Sequence, residues 1–131
     1  MAPAAFLLLL AADLFPHQTH GKLNLKCTFC HTGAETKAKS GIPEWRTCKT
    51  CHVDKAELTL TANRRYKLAD WVFFSHARHA AAKVECASCH GDVKSAAMPD
   101  KRAVTSMNAC VTCHREAKAT LVCNSCHELA Q

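Results

Sequence analysis

The sequence predicts a small, mostly irregular fold of short helical turns with few short strands, and three observations carry that prediction. The chain has 131 residues but is only 6% aromatic, with 4 glycines. It carries 10 cysteines and 9 histidines, a density near that of cysteine-dependent scaffolds. Every one of those cysteines falls in one short repeated motif. A chain of this length forms one domain or two very small ones and buries about two-thirds of its unfolded surface. The framework is therefore expected from something other than side-chain packing, which disfavours a two-layer enzyme fold with a self-sufficient core.

The motif is Cys-x-x-Cys-His, and it occurs five times: Cys27–His31, Cys48–His52, Cys86–His90, Cys110–His114 and Cys123–His127. The paired cysteines are Cys27 and Cys30, Cys48 and Cys51, Cys86 and Cys89, Cys110 and Cys113, and Cys123 and Cys126, with none left over. This is the attachment signature of c-type haem. Two thiols add to the two vinyl groups on one porphyrin edge, and the adjacent histidine reaches the iron as its proximal ligand. Zinc competes poorly, because five pairs do not divide into four-cysteine tetrahedra and a pair with its own histidine gives three ligands. A redox Cys-x-x-Cys usually occurs once, and a disulfide scaffold has no reason to place histidine after every second cysteine. Five covalent c-type haems are expected, with proximal irons on His31, His52, His90, His114 and His127, in a haem-organised fold.

Four histidines remain, and they form two His-x-x-His pairs, each with a phenylalanine two residues ahead: Phe15, His17 and His20, then Phe74, His76 and His79. Laying residues 15–31 over 74–90 gives six identities at an offset of 59: the phenylalanine, both pair histidines, both cysteines and the motif histidine. The layout reads as a tandem duplication. Two histidines three apart can serve different irons, so His17, His20, His76 and His79 are the expected distal ligands. Five irons need ten axial groups and nine histidines are present. Met107, three residues before Cys110 in the half with the extra motif, is the favoured tenth ligand. Trp45 stands at the corresponding place in the first half. Met98, a group from another subunit, water or an open site are the alternatives. A His/Met iron would have a higher potential than its bis-histidine neighbours.

The expected organisation is an apolar arm or signal remnant at 1–14, a two-haem unit at 15–52, a helical linker at 53–70 and a three-haem unit at 71–131. Residues 2–12 form an apolar run of 11, shorter than the about 20 a membrane-spanning helix needs. It resembles the hydrophobic region of a secretory signal but lacks the positive region, so the expected alternatives are a true start upstream, with the run a signal remnant, or retention as a short anchor or partner-facing arm. Val53–Leu68 reads as the joining helix and Asp70–Ser75 as a short strand. Helical turns should carry the motifs, since Cys, Cys and His at i, i+3 and i+4 share a face. Trp45, Trp71, Phe29 and Phe73 are expected to pack on porphyrin faces rather than to relay electrons.

The formal charge of +6 does not point to nucleic acid. Two ionised propionates make a ferric haem about −1 and a ferrous one about −2, so five haems bring the total near +1 oxidised and −4 reduced. The lysines are spread along the chain, suited to neutralising propionates or steering partners.

These residues resemble class III multihaem cytochromes c, whose Phe-x-His-x-x-His lead and Cys-x-x-Cys-His occur here twice. In that family the first histidine of the lead binds the haem of the next motif and the second binds the haem after it. The resemblance implies His17 with His31, His20 with His52, His76 with His90 and His79 with His114, which leaves Met107 for His127. The segments Cys30–Glu35, Ser40–Pro43 and Trp71–His76 are also similar to the pentahaem subunit of alternative complex III, a quinol-oxidising membrane assembly, and to stand-alone cytochromes of that layout. The similarity spans 15–127.

The expected function is electron transfer between redox partner proteins along closely spaced haems, without catalysis. About 26 residues per haem is too little chain to insulate them, and the protein's part is to set potentials. A subunit of a larger respiratory or photosynthetic membrane complex, or a haem filament, is the alternative. A multihaem reductase with one open iron on His127 ranks third. Haem attachment of this type implies a periplasmic location or the outer face of the cytoplasmic membrane.

Overall fold

A computed structural model describes residues 15–57, 67–96 and 105–127. Six short helices follow in order: α1 (His17–Gly21), α2 (Cys27–Cys30), α3 (Trp45–Cys48), α4 (His76–Ala81), α5 (Cys86–His90) and α6 (Met107–Glu116), then a 3-10 turn at Cys123–Ser125. The mostly irregular, small-helix fold read from the sequence is the one observed. Among the described residues no hydrophobic side chain is buried, and the one buried residue is Gly33. Within these residues, side-chain packing forms no apolar core.

The motifs shape the helices as their spacing requires. All five residues of the third motif form α5, and the fourth motif lies inside α6. α2 holds both cysteines of the first motif and stops at His31. In the second motif the helix precedes the cysteines and ends at Cys48, and the fifth rides on the 3-10 turn. Ser75 caps α4 by accepting from the Arg78 N–H, and Ser106 caps α6 by accepting from the Ala109 N–H; such caps satisfy donors that a first turn leaves open. α1 starts instead after Pro16 and has no side-chain cap.

The two histidine leads fold alike. Asn24 and Lys83, which are 59 residues apart, both take left-handed backbone, at φ 52° and 58°. They turn the chain after α1 and α4 back toward the next motif. The strand expected at Asp70–Ser75 is reduced to a single antiparallel bridge between Val72 and His127, beside a Phe73 N–H to Cys126 carbonyl bond of 2.6 Å. Its partner segment is already committed to the 3-10 turn of the fifth motif, so the ladder cannot extend. The expected joining helix is not formed at its described ends, where Lys55 makes only an i−3 bond to His52 and residues 53–57 and 67–68 are non-helical. The rest of that segment, 58–66, lies outside the described residues, as do the apolar arm 1–14 and Met98.

Candidate haem sites

Five of the histidines are held through Nδ1 by backbone carbonyls. At the N-terminus of α1 and of α4, the carbonyl four residues back accepts from the second pair histidine: His20 Nδ1 donates to Pro16 O at 3.1 Å and His79 Nδ1 to Ser75 O at 2.8 Å. His31 Nδ1 donates to Gly41 O at 2.8 Å, His114 Nδ1 to Thr120 O at 2.8 Å and His76 Nδ1 to Ala38 O at 2.9 Å. A carbonyl only accepts, so these rings carry their proton on Nδ1 and keep the Nε2 lone pair. That is the usual arrangement of a metal-ligating histidine.

The phenylalanines hold both rings of each pair. Phe15 packs edge-on to His17 at 4.9 Å and stacks on His20 at 4.4 Å; Phe74 does the same to His76 at 4.8 Å and His79 at 4.6 Å. Sequence reasoning picked out these phenylalanines as part of the repeat without giving them this work. The carbonyls of Gly41, Ala38 and Thr120 were missed altogether, since any residue could supply them.

The structure then brings lead and motif histidines opposite each other. Ring centroids are 6.4 Å apart for His17 and His31, 6.1 Å for His20 and His52, 6.3 Å for His76 and His90, and 6.1 Å for His79 and His114. A first-row metal–imidazole bond is about 2.0 Å and the centroid lies roughly 1.2 Å beyond the nitrogen, so rings on opposite sides of one iron sit about 6.3 Å apart. All four pairs match that span. Among the described residues no three His, Cys, Asp or Glu converge on one point that could hold a bare metal ion. A haem iron, which takes four bonds from its macrocycle and two from imidazoles, fits this donor set; zinc does not.

Burial and neighbouring imidazoles favour the neutral form of His17 and His90. Burial first, then the nearby His31, lowers the pKa of His17; burial first, then His76 and His31, lowers that of His90. Neutral imidazole is the ligating form. Two buried polar atoms have no hydrogen-bond partner among the described residues, His17 Nδ1 and the indole nitrogen of Trp45. Both residues lead into haem motifs, and an indole N–H so placed suits an acceptor such as a propionate.

The fifth motif is built differently. Trp71 lies edge-on to His127 at 5.7 Å, and Met107, the first residue of α6, is 70% exposed. Of the other expected porphyrin-packing residues, Trp71, Phe73 and Phe29 are exposed and Trp45 is half-buried.

Among the described residues no helix is long and apolar enough to cross a membrane. No curated protein matches the chain. A family model described as cytochrome c7 and related cytochrome c matches residues 72–128, the half with three motifs. A model described as cytochrome c3 matches residues 19–94, more than half of the chain, across the junction of the two leads. With covalent haem attachment, electron transport and paired histidines in reach of one iron, the chain belongs to the cytochrome c3 family of multihaem electron-carrier cytochromes.

Proposed function

We propose that the chain holds five c-type haems and passes electrons along them between redox proteins, without catalysis of its own. The single observation that carries this reading is the set of four ring pairs spaced for one iron each. On it, His17 and His31, His20 and His52, His76 and His90, and His79 and His114 are the axial pairs, and each haem is bound through the two cysteines of its motif. Bis-imidazole iron changes little in geometry on one-electron reduction, which suits rapid exchange. The chain's residues set the potentials by axial ligand, burial and hydrogen bonding at Nδ1. Met107 is assigned to the iron on His127. Covalent attachment of this kind fits a protein of the periplasm or of the outer face of the cytoplasmic membrane, where a quinol-oxidising or other membrane complex is the fitting class of partner.

A second reading is favoured by the exposure of Met107 and the placement of Trp71 at His127. It leaves that iron with one open face and gives the chain a reductase site, or a site completed by a neighbouring subunit. Carbon monoxide separates the two. The dithionite-reduced protein should show no spectral change under carbon monoxide, and Met107→Ala should then bind it at one haem in five. Binding by the unaltered protein at one haem would contradict the Met107 assignment and favour the open iron.

A further inference from the structure

The two halves grip each other reciprocally. After the first motif the loop runs to α4 of the second half, where the Ala38 carbonyl accepts from both the backbone N–H of His76 at 3.1 Å and its Nδ1 at 2.9 Å. The Ala77 N–H donates to the Lys37 carbonyl at 3.0 Å beside it. After the third motif the chain returns to α1 of the first half. There the Lys94 carbonyl lies so close to Gly21 that a β-carbon would collide with it. Residues 94 and 35 are related by the offset of 59, so it is the same post-motif loop that reaches across each time. Each half's loop thus holds the other half's His-x-x-His helix, and Gly33, the one buried residue among those described, lies in the first of these loops.

This clasp sets the first and third motifs against each other. The Ala38 carbonyl, seven residues beyond His31, holds the Nδ1 proton of His76, and His76 lies opposite His90 at 6.3 Å, so the loop of the first motif meets the ring pair of the third. On each side of the junction one helix serves two motifs: α1 carries His17 and His20 toward His31 and His52, and α4 carries His76 and His79 toward His90 and His114. The fifth motif is pinned to residues 72 and 73 by the bridge and the Phe73–Cys126 bond, and so belongs with the second half.

We infer that electrons cross between the halves where Cys27–His31 meets Cys86–His90, in the order second motif, first, third, fourth, or the reverse. The order differs from the order along the chain because the clasp is reciprocal: it brings together the two motifs that follow the leads and leaves the second and fourth motifs at the outside. Each step moves one electron, leaving one iron ferric and the next ferrous, with no bond made or broken. A one-electron donor protein supplies that electron and a one-electron acceptor protein removes it. The inference rests on the proposed reading that every motif carries haem.

The test is proton NMR on the intact, fully reduced holoprotein, in which low-spin ferrous haems are diamagnetic. Each macrocycle is assigned through its thioether protons to its own cysteines. Cross-relaxation is expected between the macrocycle on Cys27 and Cys30 and the one on Cys86 and Cys89, and none between those of the second and fourth motifs. Loss of the first-to-third contact, or a direct contact from the second motif to the third or fourth, would overturn the order. Haem stoichiometry measured on the same sample reports separately on the five-haem reading. A count below five with the first-to-third contact present would correct that reading and support the junction.

Discussion

A histidine that donates its Nδ1 proton to a carbonyl keeps Nε2 for a metal, and His20, His31, His76, His79 and His114 all do so. Removing one such ring should open one iron and no other. His76→Ala is expected to let the reduced protein bind carbon monoxide at one haem, with the iron on His90 affected and the one on His114 untouched; a visible titration reads the stoichiometry. On the proposed ligand pairs, each lead phenylalanine acts on two irons at once. Phe74→Ala removes two aromatic contacts worth about 0.5–1.5 kcal/mol each, and about 1.4 kcal/mol corresponds to one pKa unit. Protons compete with iron for Nε2, so a looser ring yields earlier. Acid conversion from low to high spin should begin about one pH unit higher in Phe74→Ala, at two haems together, by these same magnitudes. The sign agrees with the lowered pKa values of His17 and His90: what these rings contribute is intact above the ordinary value of 6.5 and is lost as pH falls through the lowered one. At this scale the sequence was highly legible. Cysteine and histidine announce their chemistry by identity and spacing, whereas the carbonyls of Ala38, Gly41 and Thr120 carry no side-chain signal.

Helix geometry sorts the four histidine pairs into two kinds. The first histidine of each lead faces its partner with nearly parallel rings, at 9° for His17 and His31 and 2° for His76 and His90. The second histidine is tilted against its partner, by 59° for His20 and His52 and 42° for His79 and His114. Parallel imidazoles split the iron π-orbitals strongly, and crossed ones leave them nearly degenerate. The oxidised protein should therefore give two families of low-spin electron paramagnetic resonance signals, two haems of ordinary rhombic type and two with a much larger maximal g value. One homogeneous family for all four would contradict the ring geometry. Elements were less legible than residues. The lead helices and the motif turns follow from spacing, but the expected strand at Asp70–Ser75 shrinks to one bridge because its partner is held in a 3-10 turn. Propensity saw the valine and aromatics of that segment and could not see what lay opposite.

At the scale of the whole molecule, haem takes the place of a core on the proposed reading. No hydrophobic side chain is buried among the described residues, and Trp71, Phe73 and Leu23 stay exposed at 61%, 52% and 61%. The cysteine count made that outcome readable from composition alone. The clasp between halves was not readable, because its contacts join His76 to a carbonyl 38 residues earlier and Gly21 to another far ahead. Haem number sets both the count of axial ligands and the net charge of the molecule. The most direct measurement is the haem content of the purified chain before and after acid–acetone extraction, read together with intact mass. Five haems per chain, all retained through extraction, is the predicted result; extractable haem, or fewer than five per chain, would contradict it.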